Sequence, residues 1–303
     1  MGKTNTKKLV QGAMLAALFG VLSLLNTYTG SMFDVLICYG MVIPLVWYGY
    51  TYTMKDNLIV SFVSMIVIAM VGLPFFIISA FSSCASGIFI AEALKRKAKK
   101  ETILVGTLVI SFFNNILLYE IFAGLVGMDL MAELKESYEM IVSVFPSFSQ
   151  AVSLSLVLSL APLFLLMVST MEMYIIVLLC QIGLYRFGIR FPGSFHIASL
   201  HLSKKTGIVL AITLFGSYIC KEFVHVDYIA VDYIYIISYV VLLIQGLACV
   251  CFCLIAERKP KLMILAMLGI FIPRFNVLYI VAGFFDIFSD LRENLLYNKH
   301  KLS

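Results

Sequence analysis

Charge is what this 303-residue chain has least of. Asp, Glu, Lys and Arg make up 13% of it, about half the share found in an ordinary soluble domain. That scarcity excludes a water-soluble fold of this length, a disordered chain and a charged coiled coil. The signatures of chemistry are missing too. There is no GxxxxGK[ST] loop, so any ATP-driven step needs separate ATPase subunits. HExxH, GxSxG and a paired carboxylate motif are absent, and no cofactor motif is present, so the chain reads as non-enzymatic. Its seven cysteines lie in or beside apolar runs, where a thiol behaves as a small hydrophobe, and they form no disulfide framework. Cys249, Cys251 and Cys253 resemble a metal motif on paper. Positions two apart on a helix are turned by about 200°, however, so Cys251 faces away and no metal is expected. His196 and His201 are spaced five apart in a basic loop and are read as interfacial.

What the chain has in abundance is apolar length. Some 62% of its residues are apolar and its mean hydropathy is +1.01, in runs that repeatedly approach the roughly 20 residues needed to cross a bilayer. The predicted fold is all-α, a polytopic transmembrane bundle of about nine spans, with a range of eight to ten. The spans cover residues 9–29, 32–52, 57–71, 74–94, 102–126, part of 150–187, 206–221, 228–256 and 262–287. The third and fourth form a tight pair across Gly72-Leu73-Pro74. The sixth run is too long for one crossing and is expected to break near Pro162, with 162–187 spanning.

Charge sets the orientation. With a cytoplasmic N-terminus, one face collects Lys3, Lys7 and Lys8, Lys55, the run from Lys95 to Lys100, Arg186, Arg190, Lys204 and Lys205, and Arg258, Lys259 and Lys261. The other face holds only Lys135 and Lys221 among its loops, beside Asp129, Glu133, Glu136 and Glu139. That asymmetry fits the positive-inside rule. The basic residues are thus topology determinants, which could also touch anionic lipid headgroups, and no nucleic acid is implied. One conflict stays open. Nine crossings leave the tail outside, yet it carries Arg292, Lys299 and Lys301. Either the last segment crosses, the reading preferred here, or it folds back at Pro273-Arg274 and returns the tail to the cytoplasm.

The stretch from Lys7 to Leu18, KKLVQGAMLAAL, resembles the start of substrate-capture (S) components of energy-coupling factor transporters. Ala13 and Ala17 match their AxxxA face, with Gly12 and Ala16 as a second small pair. Residues four apart share a helix face, and small ones let another backbone approach. The first six spans also match that family in number, orientation and the long outer loop before span six. Over its full length the chain is similar to the YybS-like family of bacterial membrane proteins. Gln245-Gly246-Leu247-Ala248 and Gly283-Phe284-Phe285-Asp286, followed by Asp290 and Arg292, carry that likeness. Residues 1–190 then form a six-span, S-component-like bundle, and 191–303 a three-span extension with a short polar tail. The resemblance implies a multi-pass protein of the bacterial cytoplasmic membrane. It also implies as partners a membrane-embedded T component, meeting the Ala13/Ala17 face, and its ATPase subunits.

Charges and amides inside lipid are costly, so each is a candidate functional group. Asn114 and Asn115 fall near mid-depth of span five, Glu120 lies further out, Glu172 is central in span six, and Arg274 sits near mid-depth of the last segment. Together they predict a ligand cavity in the outer half, between spans five, six and nine, binding a small polar solute. In the structural alternative, Arg274 pairs with Glu172 or Glu120 and locks the extra helices onto the core. Residues 129–139 predict an amphipathic outer helix with Leu130, Leu134 and Ile141 toward the membrane, placed to act as a lid. The functional expectation is solute capture from the outer face; the alternative is a membrane scaffold or regulatory partner that transports nothing.

Overall fold

A computed structural model of the chain describes residues 2–292 apart from 128, 147, 194–196, 201, 223–227, 258, 260, 270–272, 290 and 291. His196, His201, Asp290 and the tail beyond 292 therefore lie outside the described residues. Among those described, every regular element is helical. Among the described residues, seven helices are long and apolar enough to cross a membrane. Side chains such as Phe62, Met70, Val105 and Met171 stand exposed on their outer faces, as expected where lipid rather than water is the solvent. The chain divides into two compact units, Met1–Gly193 and Ser194–Ser303.

The first unit opens with α1 (Gly2–Tyr28), α2 (Asp34–Thr51), α3 (Met54–Val71) and α4 (Pro74–Lys95). Short turns with local chemistry separate them. Thr53 caps α3 in a reciprocal box with Asp56, satisfying two N–H groups that a helix start leaves orphaned. Gly72 closes α3, and Pro74 opens α4 at a position where its missing N–H costs nothing. Charged groups pin the ends that the charge asymmetry assigns to the cytoplasm: Lys8 of α1 meets Asp56 at 2.8 Å, and Lys95 of α4 donates to the Tyr52 carbonyl. At the outer end Asn26 donates to Asp34. Between them Phe19, Met41, Leu45, Ile68, Phe76 and Ala80 form one apolar core.

Next come α5 (Lys100–Ile116), a π-helical turn over Leu117–Ile121, and the short α6 (Ala123–Val126). The outer segment follows: α7 (Leu130–Val144), α8 (Phe148–Ala151) and α9 (Leu154–Ser159). Asp129 starts α7 by accepting from the N–H groups of Met131 and Ala132. Leu130 and Leu134 turn inward onto Ala161 and Leu165. Ile141, expected on the same face, is exposed instead. The long sixth run breaks at Leu160, and α10 (Ala161–Tyr185) begins there with Pro162 in its first turn.

The second unit holds a 3-10 turn (Ile197–Ser199), α11 (Lys204–Glu222), α12 (Ile229–Ala256), α13 (Leu262–Gly269) and α14 (Pro273–Phe288). The hydroxyls of Thr213 and Ser238, 2.8 Å apart, join α11 to α12. The last apolar stretch does not cross as one helix, which corrects the preferred reading of the sequence. The Tyr279 hydroxyl donates to the Ala266 carbonyl at 2.6 Å. Along one continuous helix those residues would be separated by about 20 Å, so the chain must reverse between α13 and α14. Arg292, just past α14, donates to the carbonyls of Ala198 and Leu200 at 2.9 and 2.7 Å. Those carbonyls immediately precede the basic start of α11, so the hairpin returns to the side it came from. Its physical causes are local and tertiary. Pro273 cannot continue the helix before it, and α14 is held by α12 at backbone contact: a Cβ on Gly246 would lie 1.7 Å from the Tyr279 carbonyl oxygen, and one on Gly283 would lie 2.6 Å from that of Leu242.

A buried polar cluster closes this unit. Asp286 is fully buried and accepts from Gln245 Nε2 at 2.5 Å, from Arg292 Nε at 2.7 Å and from Arg292 Nη2 at 2.6 Å. The guanidinium also lies over the Phe252 ring, 5.0 Å from its centroid. Arg292 thus ties α14, α12 and the segment before α11 together.

Candidate functional site: an outer cavity in the first unit

Four helices of the first unit each turn one stripe toward a common space. On α2 the stripe includes Asp34, Cys38 and Tyr39; on α4, Ser79, Ser82 and Ser83; on α5 and its π turn, Asn114, Asn115 and Tyr119; on α10, Val168, Glu172 and Ile176. Spacings of three, four and seven place such residues on one helix face. The space between them is a cavity of about 220 Å³. It occupies the outer half of the bundle, because α2 and α10 begin and α5 ends at the face opposite the basic loops.

The polar contacts have a definite direction. Asn115 Nδ2 donates to Ser169 Oγ at 2.9 Å and to Glu172 Oε2 at 3.1 Å. Tyr39 and Glu172 line the same space from α2 and α10. Ser83 spends its proton on the carbonyls of Cys38 and Ser79. Asn114 is 5% exposed, and its Oδ1 has no hydrogen-bond partner. A buried carbonyl oxygen left in that state costs roughly 1–3 kcal/mol. The π turn supplies Leu118 and Tyr119 to the wall, and such turns concentrate at functional positions. Tyr119 also packs in the cluster that seats Leu130 and Leu134 of α7, so the outer helix lies beside the cavity wall.

Of the residues singled out from sequence, Asn114, Asn115 and Glu172 meet in this cavity. Glu120 does not line it and is exposed on the π turn. On a regular helix Glu120 would already be turned roughly 140° from Asn115, a signal the sequence did offer. Arg274 is the second residue of α14 in the other unit, and its side chain lies outside the described residues. The walls described are spans two, four, five and six, where the sequence pointed to five, six and nine. Asp34, Tyr39 and the serines of α4 were passed over. Asp34 reads as a span edge, and hydroxyls are too cheap in lipid to stand out as charges do. On α1, Ala13 and Ala17 face outward, while Gly12 and Ala16 are buried, with Gly12 against Val60 of α3.

Among the described residues no group of three or more His, Cys, Asp and Glu side chains could hold a metal ion. Cys251 packs with Leu243, Leu247 and Tyr279 in an apolar cluster.

Comparison with known proteins places this arrangement in a wider set. Residues 17–287 match the family described as "Predicted membrane protein (DUF2232)". The "Uncharacterized protein YybS" of Bacillus subtilis (strain 168) is 24% identical over 310 residues, covering 96% of this chain and 99% of that protein. No solved structure matches.

Proposed function

The chain belongs to the DUF2232 family of predicted membrane proteins and is a multi-pass protein of a bacterial membrane, and from that premise we propose that it captures a small polar solute from the outer face. One observation carries the reading. Glu172, Asn115 and Asn114 converge on a void in the outer half, with the Asn114 carbonyl oxygen unpartnered. Groups so costly to bury are retained where a ligand completes them. The S-component type is the form of capture that fits best. The solute-binding unit carries no nucleotide loop, so energy comes from separate ATPases through a T component. The outward Ala13/Ala17 face of α1 gives that component a surface of small residues to approach. No catalytic step and no cofactor belong to this proposal.

The test is affinity purification of the tagged full chain from its own membranes, with mass spectrometry of subunits and small molecules together. Solute-capture uptake predicts a loaded protein accompanied by a T component and ATPases. An empty protein accompanied only by unrelated envelope proteins overturns it in favour of a scaffold.

A further inference from the structure

Resting on the solute-capture reading, we infer that the outer cavity selects a small organic cation, a protonated amine. The charge-bearing side chains facing the space are of one sign. Asp34 and Glu172 are both carboxylic side chains, and no Lys, Arg or His stands among the described lining residues. Two of the nearby donors are committed, Asn115 Nδ2 to Ser169 and Glu172, and Ser83 Oγ to two backbone carbonyls. A carboxylate offers about four lone-pair directions, so Glu172 retains acceptor capacity after Asn115 is counted. An ammonium group brings two or three N–H donors and a positive charge, which suit the acceptor capacity left on Glu172. An anion would face two carboxylic groups and no basic side chain among the described lining residues, a costly arrangement for a desolvated charge.

Three further features agree. Tyr39, Phe75 and Tyr119 line the space, and aromatic faces attract cations within about 6 Å of the ring centroid. The outer helix α7 exposes Glu133, Glu136 and Glu139 against a single Lys135, a field that raises the local concentration of cations. At about 220 Å³ the cavity is smaller than the about 300–1,000 Å³ of drug-sized sites, yet far larger than a bare ion needs.

The experiment uses the full chain in lipid nanodiscs, with propane-1,3-diamine and ethanolamine as probes. Propane-1,3-diol serves as the neutral isostere, malonate as the anion and magnesium chloride as the metal control. Thermal unfolding and titration calorimetry read binding. The amines should bind saturably and raise the unfolding temperature, while the diol, malonate and magnesium should not. Glu172→Gln should weaken amine binding by at least about tenfold, Asn114→Leu should weaken it independently, and Glu101→Gln at the cytoplasmic end of α5 should leave it unchanged. Saturable binding of the diol or malonate that is lost in Glu172→Gln overturns the cation inference while leaving solute capture standing. Magnesium binding in place of the amines, amine binding undiminished in both cavity variants, or no binding of either amine overturns the inference outright.

Discussion

Two buried polar clusters, one in each unit, use their groups in opposite ways. In the second, Asp286 takes three hydrogen bonds, and Arg292 gives its own to one carboxylate and two carbonyls, with glycine contacts at Gly246 and Gly283 drawing the helices together. In the first, Glu172 and Asn115 meet beside a void, and Asn114 keeps an oxygen without a partner. A saturated buried cluster holds helices; an unsaturated one has binding capacity to spare. On the proposed reading, similar residue types, similarly placed in apolar helices, serve structure in one place and recognition in the other.

That contrast breaks if the saturated cluster can be dismantled without cost. Arg292→Ala strands a fully buried carboxylate, and removing one partner of such a pair costs about 3–5 kcal/mol. Thermal or denaturant unfolding in detergent should show the loss, together with poor accumulation in the membrane. Gly246→Val comes next. Its side chain must occupy the place of the Tyr279 carbonyl, and overpacking costs roughly 1–3 kcal/mol or more, read by the same unfolding measurement. Tyr279→Phe removes only the hydroxyl bonded to Ala266, worth about 0.5–1.5 kcal/mol, and should loosen the α13–α14 hairpin without unfolding the protein. Glu172→Gln sits at the small end. Replacing the carboxylate by an amide should change unfolding by less than about 1 kcal/mol, or raise stability, because the desolvation of a charge is relieved. A large destabilisation by Glu172→Gln would move that residue to the structural side of the comparison.

Much of the helical framework was legible because its signals are local. Lys95 to Lys100, Gly72 with Pro74, Pro162 and Asp129 mark helix ends by charge, backbone geometry or capping, and the helices start and stop there. The reversal between α13 and α14 was offered by Pro273 but not decided by it. What decides it is Tyr279 reaching Ala266 and Arg292 reaching Ala198, the second pair 94 residues apart in sequence. It also removes the charge conflict of the C-terminal segment, since Arg292 joins the basic face. A cysteine placed at Ser303 in a cysteine-free background should accordingly resist membrane-impermeant thiol reagents in intact cells and react after lysis. In the cavity, Asn114, Asn115 and Glu172 were legible because lipid makes such groups expensive, whereas Asp34 at a span edge was not. Tyr39 and the α4 serines were not, because such groups occur in spans for packing alone, and only the tertiary arrangement shows which of them face a space.

The most direct measurement is native mass spectrometry of the gently extracted full chain beside its Glu172→Gln and Asn114→Leu variants. The account predicts a low-mass, non-lipid adduct on the unaltered protein that is lost or sharply reduced in both variants while their folded mass and charge distribution stay the same. An unaltered protein that flies empty, or an adduct retained in full by both variants, would contradict it.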